Sequence, residues 1–187
     1  MSLAMVTRRD HGLTIIEVMA VVLVLGVLIT LVAPSMRGMI QRQHVQGVHD
    51  QIITDLQLAR SELTARPTSI AVQFGGNASI TCYTIHTVDA GAACDCTRTP
   101  GQACLPAGIV QEIKTVQVPR AQGVSLAASS PSGNTVTFAS PQGVATPDDL
   151  VINVQGDAGG QLRTSVQSLR SPTACSPDGS FRGVPAC

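Results

Sequence analysis

The chain has 187 residues, 44% of them apolar, and no formal net charge, so it can form one domain with an appendage and is too short for two ordinary domains. Aromatic residues make up only 2% and Trp is absent, whereas there are 17 Gly and 11 Pro, which favours a turn-rich head of short strands over a helical bundle. The zero total charge does not indicate any class of binding partner. Residues 158–187, however, hold three Arg and one acid and are locally basic at about +2.

An apolar run of 21 residues, 13–33, begins shortly after Arg8 and Arg9. As an α-helix it measures about 31 Å, close to the roughly 30 Å hydrocarbon thickness of a bilayer. A secretory signal peptide is the alternative, but its apolar core normally has about 7–15 residues and ends at a small-x-small cleavage site. Because the two arginines precede the run, the positive-inside rule predicts a cytoplasmic amino end and a head across the membrane.

One carboxylate, Glu17, interrupts this apolar run. An ionised side chain costs about 2.5–3.5 kcal/mol at the centre of a spanning helix and less near its end, so it normally needs water or a partner. Glu17 either lies close enough to the headgroups to stay hydrated or pairs with a cation at the same depth. Cleavage between Gly12 and Leu13 would supply that cation, since the new α-amino group would lie one helical turn from Glu17.

Residues 12–17, GLTIIE, follow a short basic leader and begin an apolar run that ends at Pro34. This arrangement resembles the class III signal of type IV pilins and type II secretion pseudopilins. The resemblance implies that a prepilin peptidase cuts after Gly12 and N-methylates Leu13, which stands where the family usually has Phe. It also implies that Glu17 neutralises the terminal amine of a neighbouring subunit on filament entry, and that Pro34 is the family's helix-disturbing proline.

A second helical pattern follows Pro34 and predicts an amphipathic helix over 35–66, which the Arg66-Pro67 pair ends because the residue before a proline resists the helical region. Its apolar positions recur mostly at steps of three to five: Met36, Ile40, Val45, Val48, Ile52, Leu56, Ala59 and Leu63. His44 and His49 are five residues apart, a spacing that does not suit a metal pair, so both are predicted to be solvated.

The end of this helix, DLQLARSE at 55–62, resembles the closing stretch of the helix in the FimT/GspH branch of minor pilins and pseudopilins. The alternative interpretation is an ordinary amphipathic helix end with Arg60 and Glu62 in solvent. The two interpretations have equal support from these residues alone.

From residue 68 onward the pattern predicts strands separated by Gly- and Pro-containing turns. The predicted strands are 69–74, 79–86, 109–118, 135–138, 150–154 and 162–166. Six or seven antiparallel strands against one helix define an α+β head. With the resemblance, this implies a type IV pilin-like fold, a long N-terminal helix packed on an antiparallel β-rich head, divided into a leader (1–12), a transmembrane and filament-core helix (13–34), an amphipathic helix (35–66) and the head (67–187).

An even number of cysteines at loop-like spacings indicates disulfides formed in an oxidising compartment. The six are Cys82, Cys94, Cys96, Cys104, Cys175 and Cys187. Cys175 and Cys187 are predicted to pair and tie down the Pro-rich tail, and a terminal disulfide loop is also common in type IV pilins. Among the other four, a Cys94–Cys96 bond is set aside as strained, which leaves Cys82 bonded to one of the loop cysteines. A four-thiolate zinc site is the alternative, but the paired C-x2-4-C spacing that it requires is missing.

The sequence has no H-E-x-x-H, G-x-S-x-G, phosphate loop or G-x-G-x-x-G, so no enzyme, metal or cofactor is predicted. Minor pilins of the FimT type in naturally competent bacteria bind DNA through Gly-Arg-x-Arg near the C-terminus, and residues 160–163 keep only the Gly and the last Arg. Phosphate contacts from Arg163, Arg170 and Arg182 would give weak, salt-sensitive binding. The preferred interpretation is that these arginines solubilise the head.

The sequence therefore predicts a structural minor pilin, with a type II secretion pseudopilin of the GspH type or a DNA-binding receptor at the pilus tip as alternatives. Its predicted partners are other pilins through the N-terminal helix, the prepilin peptidase and the inner membrane, with weak DNA binding as an option. We expect a single-pass inner-membrane protein with a periplasmic head, which later joins a pilus or pseudopilus at the cell surface.

Overall fold

A computed structural model describes residues 14–89, 93–105, 110–131, 133–168 and 170–187, without the side chains of 31–35, 37 and 105. The chain divides into two compact units, Met1–Met39 and Ile40–Cys187. Helix α1, Ile15–Ala65, contributes residues to both. It ends two residues before Pro67, where the sequence predicts a stop.

The second unit contains the strands, and every pairing between named strands within the described residues is antiparallel. They are β1 (Ile70–Gly76), β2 (Ile80–Thr87), β3 (Ala93–Cys94), β4 (Cys104–Leu105), β5 (Glu112–Pro119), β6 (Val124–Ser129), β7 (Thr135–Ala139), β8 (Val144–Thr146), β9 (Leu150–Gly156), β10 (Gln161–Val166) and β11 (Thr173–Cys175). One sheet has the order β5-β2-β1-β7-β8, a second has β11-β10-β9-β6, and β3 pairs with β4 alone. The α+β pilin-like fold class is confirmed.

The core of this unit lies where one face of α1 meets both sheets. Val45, Ile52, Leu56, Ala59 and Leu63 form that face, and each is at most 7% exposed. They share one cluster with first-sheet side chains such as those of β1 and β2 and with second-sheet side chains from β9 and β10. Burial of an Ile or Leu side chain contributes about 1.5–3 kcal/mol, so this face accounts for much of the helix's attachment.

The buried face of α1 differs from the predicted stripe at its beginning. Met36 and Ile40 are 55% and 47% exposed, and continuous burial starts only at Val45. Val48 is partly buried, whereas His49 is 5% exposed and takes the position between Val45 and Ile52. The steps from 45 through 49, 52, 56, 59 and 63 are regular threes and fours, so the helical period, and not side-chain polarity, decides which residues face the core.

The six predicted strands are present, with bounds that shift by up to three residues. The sequence missed β6, because its Ala- and Ser-rich composition has little strand propensity and its pairing with β9 stabilises it instead. It also missed the short strands β3, β4, β8 and β11, whose two or three residues are too few for an alternating pattern.

Strand β2 is buried on both faces. Tyr83 and Ile85 point into the core cluster on one face. On the other face Cys82, Thr84 and His86 lie beneath residues 93–105, which we call the disulfide loop. The first sheet is thus covered by the helix on one side and, at β2, by this loop on the other.

Candidate functional site

The first turn of α1 carries the carboxylate that interrupts the apolar run. The Glu17 side chain is exposed, and its backbone N–H donates to Thr14, at 3.1 Å to the carbonyl oxygen and 3.4 Å to Oγ1. Thr14 caps the helix, and a carboxylate in the first turn is favourable because the free N–H groups make that end positive. Gly12 and Leu13, the predicted cleavage and methylation positions, lie outside the described residues.

Residues 15–30, the first part of α1, are exposed on every side of the helix. The large apolar side chains among them have exposed fractions between 47% for Val18 and 81% for Ile15. Glu17 is the one charged residue in this stretch. A helix that is apolar all round is stable when lipid or other protein covers it, so this surface calls for a covering partner.

Pro34 lies within the bounds of α1, and its side chain is outside the described set. Whether it disturbs the helix therefore stays a prediction. Within the described ranges, no helix meets the combined length and apolarity needed to cross a membrane.

Three polar side chains of α1 bind the head, two of them buried and the third, Arg60, half-buried, and the first is His49. Its Nε2 lies 2.8 Å from Thr164 Oγ1 on β10, and its Nδ1 lies 3.4 Å from Asp50 Oδ1. The prediction that His49 is solvated is wrong, because Thr164 in the second sheet satisfies its ring. His44 is exposed, as predicted.

The second is Asp55, which links α1 to the first sheet. Its carboxylate is 3% exposed by residue and accepts the Tyr83 hydroxyl at 2.6 Å and Lys114 Nζ at 2.7 Å. Burial, reinforced by the hydrogen bond to Asp55 and its charge, raises the pKa of Tyr83, so the hydroxyl stays protonated and donates. One carboxylate thus ties the helix to both β2 and β5.

The third is Arg60, in the ARSE part of the helix end. Its Nη2 donates to the carbonyl oxygens of Gln167 at 3.2 Å and Arg170 at 2.9 Å, beyond the end of β10. Its guanidinium carbon lies 5.1 Å from the ring centroid of Phe138. Arg60 therefore holds the chain after β10 onto the helix and is not simply a solvated residue, whereas Glu62 pairs with Arg66 at 2.8 Å.

The disulfide loop is attached to the outer face of β2 and β5 at two levels. At the first, Cys96 is bonded to Cys82, and Gln117, directly opposite Cys82 in the sheet, donates from Nε2 to the carbonyl oxygens of Cys96 and Arg98, both at 2.8 Å. At the second, Glu112 accepts the backbone N–H groups of Gly101 at 2.7 Å and Ala103 at 2.8 Å.

Beneath the second level, His86 lies beside the bond between Cys94 and Cys104. The ligand atoms of these three buried residues lie within 4.8 Å of one another, a grouping that could hold a metal ion, but both sulfurs are in the disulfide. Burial lowers the pKa of His86, although the hydrogen bond to Thr87 and the charge of Glu112 act in the opposite direction. All six cysteines are paired, so the oxidised head contains no four-thiolate zinc site.

The C-terminal tail is closed by the bond between Cys175 and Cys187. Inside this loop Ser176 donates its N–H to Pro185 O at 2.8 Å, and Phe181, 4% exposed, joins the main core. The Asp178 carboxylate accepts hydrogen bonds from serine hydroxyls, that of Ser180 first, which lower its pKa to about 2. The tail is therefore ordered by a core contact as well as by the disulfide.

The three arginines considered for DNA lie on different segments. Arg163 on β10 is half-buried and donates from Nε to Asn153 Oδ1 at 3.1 Å. Arg170 and Arg182 are exposed, and the carbonyl oxygen of Arg170 accepts from Arg60. Two exposed cationic side chains and one that is already engaged form a weak basis for phosphate binding.

The exposed apolar stretch at the beginning of α1, with Glu17 as its one carboxylate, and the antiparallel disulfide-bonded head together define a pilin-like subunit. A family model described as the prokaryotic N-terminal methylation motif matches residues 7–33. A second model, described as type II transport protein GspH, matches residues 49–169, well over half of the chain. The chain belongs to this GspH family. Comparisons with curated proteins and with solved structures returned no match.

These matches confirm the resemblance to type IV pilin-like minor pilins and pseudopilins. They imply processing by a prepilin peptidase and assembly with other pilins. Sequence reasoning missed the buried polar contacts of the helix, although His49 and Asp55 each stand three residues from Ile52 and could have been placed on the core face by period alone.

Proposed function

We propose that the chain is a minor subunit of a type IV pilus, of the FimT/FimU kind. Prepilin peptidase removes residues 1–12 after Gly12 and methylates the new amino group of Leu13. The segment 13–34 holds the subunit in the inner membrane with its head in the periplasm, and then packs against other pilins in the filament. The role is structural, and the subunit catalyses no reaction.

The observation that carries this proposal is the exposed apolar surface of residues 15–29 together with the single carboxylate of Glu17. Lipid covers such a surface but offers the carboxylate no counter-charge beyond the amine of its own chain. A neighbouring subunit covers the same surface and also brings the amine of its own Leu13. Transfer from membrane to filament therefore removes an unfavourable charge without exposing apolar surface.

The first experiment is coexpression with a prepilin peptidase, followed by intact mass measurement. We expect a chain that begins at N-methylated Leu13. The variant Gly12→Val should keep its leader, whereas Gly26→Ala, at a helical position with open space around it, should be processed normally. An uncut wild-type leader, or cleavage near Ala33, would exclude the pilin processing route.

A pseudopilin of the type II secretion system is the alternative, and the description of the matching family model supports it. The loop closed by Cys175 and Cys187 favours the pilus, because terminal disulfide loops are common in type IV pilins. Complementation separates the two. We expect the gene to restore piliation in a strain that lacks its minor pilins and not to restore secretion in a strain that lacks its GspH-type pseudopilin; the reverse pattern would assign the secretion system.

Binding of DNA has less support, since Arg163 already donates to Asn153 and the Gly-Arg-x-Arg pattern is incomplete. A fragment that starts at Ile40, the beginning of the second compact unit, allows a gel-shift test at low salt. If the arginines contact phosphates, Arg163→Ala combined with Arg170→Ala abolishes the shift. An unchanged affinity would exclude these arginines as the binding site.

A further inference from the structure

The ring of His86 is held in one tautomer. Its Nδ1 lies 3.0 Å from the carbonyl oxygen of Thr87. Since a carbonyl oxygen can only accept, Nδ1 carries the proton and Nε2 carries a lone pair. In the described part of the chain this Nε2 is buried and has no hydrogen-bond partner. A metal-binding histidine usually donates the N–H of its other ring nitrogen to a carbonyl or carboxylate oxygen, as Nδ1 does here.

The lone pair of His86 lies beside two sulfur atoms. Cys94 and Cys104 are each 5% exposed, His86 is 8% exposed, and their ligand atoms lie within 4.8 Å of one another. In the disulfide the sulfurs are poor ligands, whereas as thiolates they bind thiophilic cations strongly. Reduction of this one bond therefore converts an apolar neighbour of Nε2 into a pair of metal ligands.

The loop that carries these cysteines is held by contacts independent of their bond. The Cys82–Cys96 disulfide and the two hydrogen bonds from Gln117 fix its first half. The two N–H groups bound by Glu112 fix its second half, and Asp95 N–H donates to Ala103 O at 2.7 Å between the strands. After reduction, Cys94 and Cys104 therefore stay opposite each other on β3 and β4.

We propose that the head with reduced Cys94 and Cys104 binds one Zn²⁺ through their two thiolates and His86 Nε2. Two thiolates neutralise the charge of Zn²⁺, which suits a buried site, whereas a monovalent ion would leave a buried negative charge. Cys104 and Glu112 also line an open cavity of about 620 Å³, so the site lies beside a solvent-filled space. The oxidised head does not bind the ion.

The chemistry balances in two steps. A phosphine reductant takes an oxygen atom from water and becomes its oxide, and the two electrons and two protons that are released convert the disulfide into two thiols. Zn²⁺ then displaces both thiol protons as it binds. His86 contributes a lone pair and no proton, because its proton is on Nδ1.

The test uses the full chain in detergent. The protein is treated with a limiting amount of a phosphine under anaerobic conditions, the phosphine is removed, and peptide mapping identifies the fraction in which only Cys94 and Cys104 are reduced. Zn²⁺ is then titrated against a chromophoric chelator. We expect one Zn²⁺ per chain in this fraction, none in the oxidised chain, and none in the variant with Cys94→Ser and Cys104→Ser.

The variant His86→Gln should bind Zn²⁺ at least tenfold more weakly, whereas His44→Gln, at an exposed helix position, should bind as the wild type does. X-ray absorption at the zinc edge gives an independent measurement on the wild type, where we expect two sulfur and one imidazole ligand. No stoichiometric binding, equal binding by the double serine variant, or a zinc shell without imidazole would overturn the proposal.

Discussion

The buried carboxylate of Asp55 should contribute more to the stability of the head than any exposed charge on the same helix. It accepts Tyr83 OH at 2.6 Å and Lys114 Nζ at 2.7 Å. In Asp55→Ala the Tyr83 hydroxyl, on a side chain only 1% exposed, loses its partner, which costs about 1–3 kcal/mol. The Lys114 side chain is 38% exposed and can turn to water, so its share is only about 0–1 kcal/mol.

We therefore expect Asp55→Ala to lower the free energy of unfolding by roughly 1–4 kcal/mol. Urea unfolding of the oxidised fragment from Ile40, followed by circular dichroism, measures this quantity. Asp50→Ala is the matched control, because that side chain is 81% exposed on the same helix and its removal should change stability by no more than about 0.5 kcal/mol.

A double-mutant cycle isolates the contact. Tyr83→Phe removes the hydroxyl that Asp55→Ala leaves unpaired, so the two substitutions together should cost less than the sum of the single changes, by about 1–3 kcal/mol. A loss below about 1 kcal/mol for Asp55→Ala, or strictly additive effects, would refute the role assigned to this carboxylate.

Three further results are expected. Glu17→Gln should leave membrane insertion unchanged and reduce incorporation into filaments, whereas Asp50→Asn should not; normal incorporation would show that Glu17 is only tolerated. Burial lowers the pKa of His86, so the unfolded state binds more protons than the folded state below about pH 6.5, and stability should fall from pH 7 to pH 5. Urea midpoints measured across this range should show a smaller fall for His86→Gln and an unchanged fall for His44→Gln. Arg60→Ala should cost about 1–3 kcal/mol and speed hydrogen exchange beyond β10; unchanged exchange there would contradict the anchoring role.

The cysteines illustrate where sequence reasoning stops. Spacing alone predicts the bond between Cys175 and Cys187 and leaves two arrangements for the other four. The structure has Cys82 with Cys96 and Cys94 with Cys104. That choice depends on how the disulfide loop lies across β2, which no local pattern encodes.

Local patterns by themselves determined the processing motif, the helical and strand periods and the fold class, because these depend on residues close together in the chain. Only the tertiary structure decided that His49 meets Thr164 and Asp55 meets Tyr83, that Arg60 binds the chain beyond β10, and that His86 lies under a disulfide. His49, Asp55 and His86 are buried and Arg60 is half-buried, each beside a partner from another segment of the chain. A polar side chain reads as solvent-exposed until the fold brings such a partner to it, and that is why the period of the helix was a better guide to burial than residue polarity.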